Sequence, residues 1–131
     1  MKRGFTASCF DLLHAGHILM LKEAKSVCDY LVVGLHVDPS LERPGKNKPV
    51  QSIVERHIQL EAVKYVDEIV VYSTEKDLEE TLFAYDIDIR IIGEEYMDRN
   101  YSGKGFTPHE YYNKRNHGYS SSELRQRIKK T

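Results

Sequence analysis

The chain has 131 residues, 40% of them hydrophobic and 30% charged, with a formal net charge of -1. That is enough apolar material for one compact core, and it carries no excess of base suited to a nucleic-acid polymer. No run of about 18 apolar residues and no signal-like apolar segment in "MKRGFTASCF" is present, so a cytoplasmic single domain over residues 1–131 is expected, with neither membrane span nor secretion.

Taken in chain order, short apolar runs alternate with helical patterns. The runs are "GFTAS" at 4–8, "YLVVGLHV" at 30–37, "EIVVY" at 68–72 and "DIRIIG" at 88–93. Continuous apolar strands separated by helices predict a parallel sheet covered on both faces, a Rossmann-like doubly wound α/β fold of about five strands. The helical spacing gives one helix with Ile18, Leu21, Ala24 and Cys28 inward. A second has Val54, Ile58, Ala62 and Tyr65 inward, and a third Leu78, Thr81, Leu82 and Tyr85. A last helix starts at "SSSELRQRI", where Ser120 and Glu123 have capping-box spacing. Two irregular stretches, "DPSLERPGKNKPVQ" and "GEEYMDRNYSGKGFTPHEYYNKRNHGY", follow strands, and loops leaving strand carboxyl ends border the crevice of such folds.

Charge is segregated along the chain. Residues 61–98 hold twelve acids against three Lys or Arg, and residues 105–131 hold six bases against two acids. The acidic block reads as solvated helix faces; the basic end, rich in Ser and Asn, suits an anion. The two cysteines, Cys9 and Cys28, make no disulfide framework and read as reduced thiols. A zinc site built on them is the weaker alternative, since no CxxC pair exists and Cys28 falls on a core face.

In "CFDLLHAGHILM", His14 and His17 stand three apart where a strand gives way to a helix, and Gly16 lets backbone approach a ligand. A helix start already favours phosphate through its free N–H groups and dipole. Arg115 offers a planar fork of donors, and Ser120, Ser121 and Ser122 put hydroxyls at the start of the last helix. Capping alone would explain Ser120. Lys46 and Lys48 lie in "RPGKNKP", an exposed loop by its Pro and Gly. Lys104 lies between two glycines, either over a phosphate or simply solvated.

These residues carry a resemblance. "CFDLLHAGH" is similar to the T-F-D-x-x-H-x-G-H signature of the cytidylyltransferase-like nucleotidyltransferases. "ERHIQLEAVKYVDEIV" resembles their helix and strand after a lysine-bearing loop, "IIGEEY" their G-D-D-W-like segment, and "RNHGYSSSELRQRI" their R-T-x-G-I-S-T-T signature. In length and layout the chain is most like the small glycerol-3-phosphate cytidylyltransferases within that family.

The resemblance implies transfer of CMP from CTP to a small phosphorylated alcohol such as glycerol 3-phosphate, by in-line attack at the α-phosphate with pyrophosphate leaving. It implies His14, His17, Lys46 and Arg115 as catalytic, Lys46 being favoured over Lys48. Cys9, Phe10, Gly16, Gly93, Glu95, Tyr96, Ser120, Ser121 and Ser122 are implied to hold the nucleotide, and Arg56 and Asp11 the acceptor. Asp11 also reads as an orienting group for the His14 loop or as one contributor to a metal site. Mg²⁺ is implied with the triphosphate and a homodimer as the assembly. An adenylyltransferase using ATP with a sugar phosphate or phosphopantetheine-like acceptor is the alternative within the fold, and a catalytically weak nucleotide-binding module the alternative outside it. The departures are Ser8-Cys9 for the usual Gly-Thr, Glu94 and Glu95 for Asp-Asp, and a long stretch over residues 97–116.

Overall fold

The apolar runs form strands of one parallel sheet, and the segments between them form covering helices, in a computed structural model that describes residues 1–114 and 117–131. In chain order the elements are β1 (Arg3–Ser8), α1 (Ala15–Ser26), β2 (Tyr30–His36), α2 (Ile53–Glu61), β3 (Glu68–Tyr72), α3 (Glu75–Ala84), β4 (Ile89–Gly93), β5 (His109–Asn113) and α4 (Ser121–Lys129). Single 3₁₀ turns occupy Pro39–Leu41 and Glu94–Tyr96. The sheet runs β3-β2-β1-β4-β5 with every neighbouring pair parallel, the doubly wound arrangement of five strands expected from the sequence.

Side-chain alternation along the strands makes two cores. On one face Leu31, Val33, Leu35, Ile89 and Ile91 pack with Leu21 and Ala24 of α1 and with Leu60 and Val63 in and beyond α2. On the other, Phe5, Val32 and Tyr72 pack with Leu78 and Leu82 of α3. Cys28 belongs to the first core, its Sγ against Gly4, where an added Cβ would lie 2.7 Å from the sulfur.

The helices start where the sequence supplies caps. Ser52 and Glu55 form a reciprocal capping box on α2, and Thr74 and Asp77 another on α3. At α4 half of the expected box forms: the Glu123 N–H donates to Ser120 Oγ at 3.0 Å.

Two expectations are corrected. Val54 and Ile58 of α2 are more than 60% exposed, and Ala62 is exposed beyond the helix end. The inward stripe is instead Ile53, Arg56, Leu60 and Val63. A buried arginine holds a position that an apolar pattern assigns to a hydrophobe, which rotates the apparent face. Second, β5 arises inside a stretch that reads as irregular. It is an edge strand, His-Glu-Tyr-Tyr-Asn, polar and aromatic throughout, and an edge needs no continuous apolar run.

The order places the topological switch between β1 and β4. Those strands register only at Gly4 with Ile89 and Phe5 with Arg90, whereas β1 and β2 register over six pairs. Beyond Phe5 the two central strands part company, and a crevice opens at their carboxyl ends.

Candidate nucleotide site

The crevice is a cavity of about 530 Å³, and its walls include the segment after β1, the segment after β4 and the start of α4. After β1 the backbone turns sharply. Phe10 and Leu12 take φ of 51° and 52°, a left-handed conformation that costs roughly 1–2 kcal/mol for each such residue. The turn is held from both sides. Phe10 is buried in the first core, and the Leu12 N–H donates to Gln51 Oε1 at 2.8 Å.

Asp11, between those two residues, is buried and fully engaged. Its carboxylate accepts from Val50 N–H at 2.8 Å and Gln51 N–H at 2.9 Å, and pairs with Arg125 of α4 at 2.9 Å. It ties together the loop after β1, the segment before α2, and α4. Of its three expected roles, acceptor binding, orienting and metal binding, the orienting one matches this geometry, and its oxygens are committed to protein donors.

His14 is the N-cap of α1. Its Nδ1 accepts from Gly16 N–H at 3.0 Å, and His17 Nδ1 accepts from His14 N–H at 3.2 Å, an imidazole version of the capping box. The rings lie close, with centroids 4.0 Å apart and planes tilted by 34°. Because each Nδ1 accepts a backbone proton, each neutral ring carries its own proton on Nε2. His14 Nε2 lies 3.1 Å from Ser121 Oγ. The N-termini of α1 and α4 therefore converge on one point, where free N–H groups and helix dipoles favour an anion.

Gly16 is needed at this junction. A Cβ there would come within 2.8 Å of His14 Cε1 and 3.0 Å of the Tyr119 carbonyl oxygen. Ser120, Ser121 and Ser122, Gly93, Glu95 and Tyr96, and Cys9 and Phe10 also line the cavity, so the structure gathers all the expected nucleotide residues around one space. Lys46 reaches its rim; Lys48 is not among the lining residues. Arg115 lies outside the described residues.

Arg56 is corrected in role. Its side chain is 2% exposed, absent from the cavity wall, and committed to carbonyls. Nε donates to Gln51 O at 3.1 Å, Nη1 to Cys9 O at 3.0 Å and His36 O at 2.6 Å, and Nη2 to Val37 O at 2.6 Å. It satisfies carbonyls at the ends of β1 and β2 and so shapes the crevice from behind instead of binding acceptor. Burial pushes the Cys9 thiol above its ordinary value, against the lowering influence of the Arg56 guanidinium. Lys104 donates to Arg99 O at 2.6 Å within its own loop and does not line this cavity.

The cavity also contains residues that the sequence reading does not single out: Arg125, His36, Tyr72, Arg90, Tyr101, Asn113, His117 and Tyr119. Arg125 had a signal, since it follows Ser121 by four residues on one face of α4. Among the described residues no group of three or more His, Cys, Asp or Glu is arranged to hold a metal ion, and no helix is long and apolar enough to cross a membrane.

Comparison with known proteins agrees with this fold. A family model described as cytidylyltransferase-like matches residues 5–127. The bifunctional protein HldE of Helicobacter pylori strain HPAG1 is 35% identical over 128 residues, 97% of this chain and 27% of that protein. HldE of Paramagnetospirillum magneticum is 42% identical over 96 residues, 72% of this chain and 20% of that protein. The chain thus spans about a quarter of the length of these relatives. A crystal structure titled as the lipopolysaccharide core biosynthesis protein of Thermoplasma volcanium GSS1 superposes with a TM-score of 0.63 at 27% identity, covering 99% of this chain and 88% of that one.

Proposed function

Since this chain belongs to the cytidylyltransferase-like family of nucleotidyltransferases, we propose that it transfers a nucleotidyl group from a nucleoside triphosphate to a small phosphorylated acceptor. A sugar phosphate is the favoured acceptor over glycerol 3-phosphate, because the Thermoplasma structure is titled for assembly of a saccharide. CTP and ATP are the candidate donors. The observation that carries the reading is the close pair His14 and His17 at the start of α1, with His14 facing Ser121 at the start of α4.

An acceptor phosphate oxygen attacks the α-phosphorus in line. The bond from that phosphorus to the α–β bridging oxygen breaks, and pyrophosphate departs with the electron pair. No enzyme nucleophile takes part, so the protein's work is positioning and charge stabilisation. The Nε2–H groups of His14 and His17 serve oxygens around the α-phosphorus, each such donor being worth about 10²–10³ in rate. Ser121, Ser122 and the first turn of α4 cradle the outer phosphates, and Lys46 swings in from the rim.

Mg²⁺ fits this site as an ion brought by the triphosphate, because Asp11 has both oxygens engaged and Mg²⁺ uses few protein carboxylates. It would supply charge neutralisation on the phosphates. A homodimer belongs to the same proposal by family likeness.

The test is pyrophosphate release with Mg²⁺, each of the four triphosphates in turn, and a panel of sugar phosphates with glycerol 3-phosphate. Release with one triphosphate and a sugar phosphate is expected. Clear triphosphate binding with no release from any pair would overturn the reading.

A further inference from the structure

The cavity has a second end that the nucleotide does not explain. On the α3 side of the sheet, Arg90 of β4 lies on the floor, 5% exposed. Its guanidinium sits between two aromatic rings, 5.7 Å from the centroid of Phe5 and 5.3 Å from that of Tyr101. Nη1 donates to Ser102 O at 2.7 Å. Nε is buried with no hydrogen-bond partner, and among the described residues no carboxylate lies within ion-pairing distance of the group. Buried charges are ordinarily paired, and a lone one is costly. Arg56, equally buried, uses its whole guanidinium on carbonyls, so the contrast within one chain is direct.

We propose that Arg90 is a specificity-determining residue that binds an oxyanion of the acceptor, a phosphate or a carboxylate, in the part of the cavity lined by Tyr72 and Tyr101. Stacking between Phe5 and Tyr101 fixes the plane of the fork, and a planar fork takes a two-oxygen anion better than a point charge does. Tyr72 and His36, stacked 4.5 Å apart, wall the same side and suit the body of a sugar. The loop holding Tyr101 and Ser102 closes over Arg90 at Gly103, whose φ of 78° brings it within 3.0 Å of Nη1 at the position of an added Cβ. The assignment deepens the nucleotidyl-transfer reading and rests on it for the identity of the ligand as acceptor.

The test uses the full chain and Arg90→Met, which keeps the stacking and removes the fork. Methyl phosphate and acetate are titrated while the Arg Nε–H resonance lost in Arg90→Met is followed by NMR. Saturable movement with either probe supports the site and says which oxyanion it takes; no movement with both overturns it. In turnover assays Arg90→Met is expected to raise the acceptor KM at least tenfold with triphosphate binding unchanged, and an unchanged KM in an active enzyme overturns the proposal while leaving nucleotidyl transfer standing. Oxyanion binding at Arg90 without turnover by any acceptor would instead keep the site and remove the reading. Thermal unfolding separates a merely structural arginine: Arg90→Met is expected to unfold no lower than the parent, and a large drop in Tm alone, with KM unmoved, counts against the site.

Discussion

His14 Nε2 lies 3.1 Å from Ser121 Oγ, a contact between residues 107 apart in sequence that joins the N-terminus of α1 to that of α4. Ser121 Oγ also approaches the Asp11 carbonyl at 3.5 Å, and Asp11 in turn pairs with Arg125 one turn along α4. The last helix is therefore docked onto the loop after β1 by polar contacts. Its own residues are largely exposed and none is buried.

The histidines should be separable by mutation. His17→Ala removes one Nε2–H donor and the acceptor of the His14 N–H, and turnover is expected to fall at least a hundredfold, the scale of one lost charge-stabilising donor. Ser121→Ala removes the bridge to His14 while leaving both rings, and a smaller loss is expected, of about tenfold. Steady-state pyrophosphate release measures both, with circular dichroism to show that each variant keeps its helices. Near-normal turnover in folded His17→Ala contradicts the assigned role.

Gly16→Ala should part stability from activity. Within a helix Ala is favoured over Gly by about 0.8–1 kcal/mol, yet the new Cβ meets His14 Cε1 at 2.8 Å and the Tyr119 carbonyl at 3.0 Å. The ring and the segment before α4 must both move. Weakened triphosphate binding is expected with little change in Tm, measured by calorimetry and thermal melting on one preparation. Unchanged triphosphate affinity would mean that the clash is absorbed elsewhere.

How far the sequence foretells the molecule depends on which interactions are local. Strands β1 to β4, helices α1 and α3 and the histidine pair are written in contiguous stretches, as apolar runs, 3.6-residue spacing or a local motif, and they stand where those stretches place them. The inward face of α2 is not, because Arg56 occupies a core position and its partners, Cys9, His36 and Val37, lie up to 47 residues away. Arg90 fails for the same reason. Within "DIRIIG" it looks like a charge interrupting a strand, and only the fold brings Phe5 and Tyr101 to its two faces.

Acid should loosen the start of α3 through Asp77. Backbone N–H groups of Thr74 and Ser73 donate to its carboxylate at 3.1 and 3.2 Å and hold it below the ordinary carboxylate value. A carboxylate held low stabilises the folded chain above its ordinary value and gives up that stability as pH falls through the lowered one. Asp77→Ala should therefore unfold earlier than the parent at neutral pH, with the gap closing below about pH 4, where the unfolded carboxyl is already protonated. Urea midpoints at pH 7, 5 and 3 check it. A gap that stays constant across that range would show that the carboxylate's charge is not what the cap uses.

Cys9 decides between direct displacement and a covalent route. Its sulfur lies 3.5 Å from Arg56 Nη1, an arrangement that favours thiolate, yet burial outweighs it and the thiol is pushed above its ordinary value. A raised value keeps the group protonated at neutral pH, so it is a poor nucleophile there and gains reactivity only as the medium becomes clearly alkaline. Alkylation by iodoacetamide at pH 8 should be slower than for free cysteine and should climb steeply above pH 9. In the displacement mechanism the sulfur forms no bond to phosphorus, so Cys9→Thr should retain turnover within a few-fold of the parent. It would also restore the hydroxyl found at this position elsewhere in the family. A thousandfold loss in folded Cys9→Thr, together with a phosphorus-labelled protein trapped from the parent enzyme, would replace in-line transfer with a covalent intermediate. Retained turnover leaves the paired histidines and the two helix starts to act on the phosphates alone.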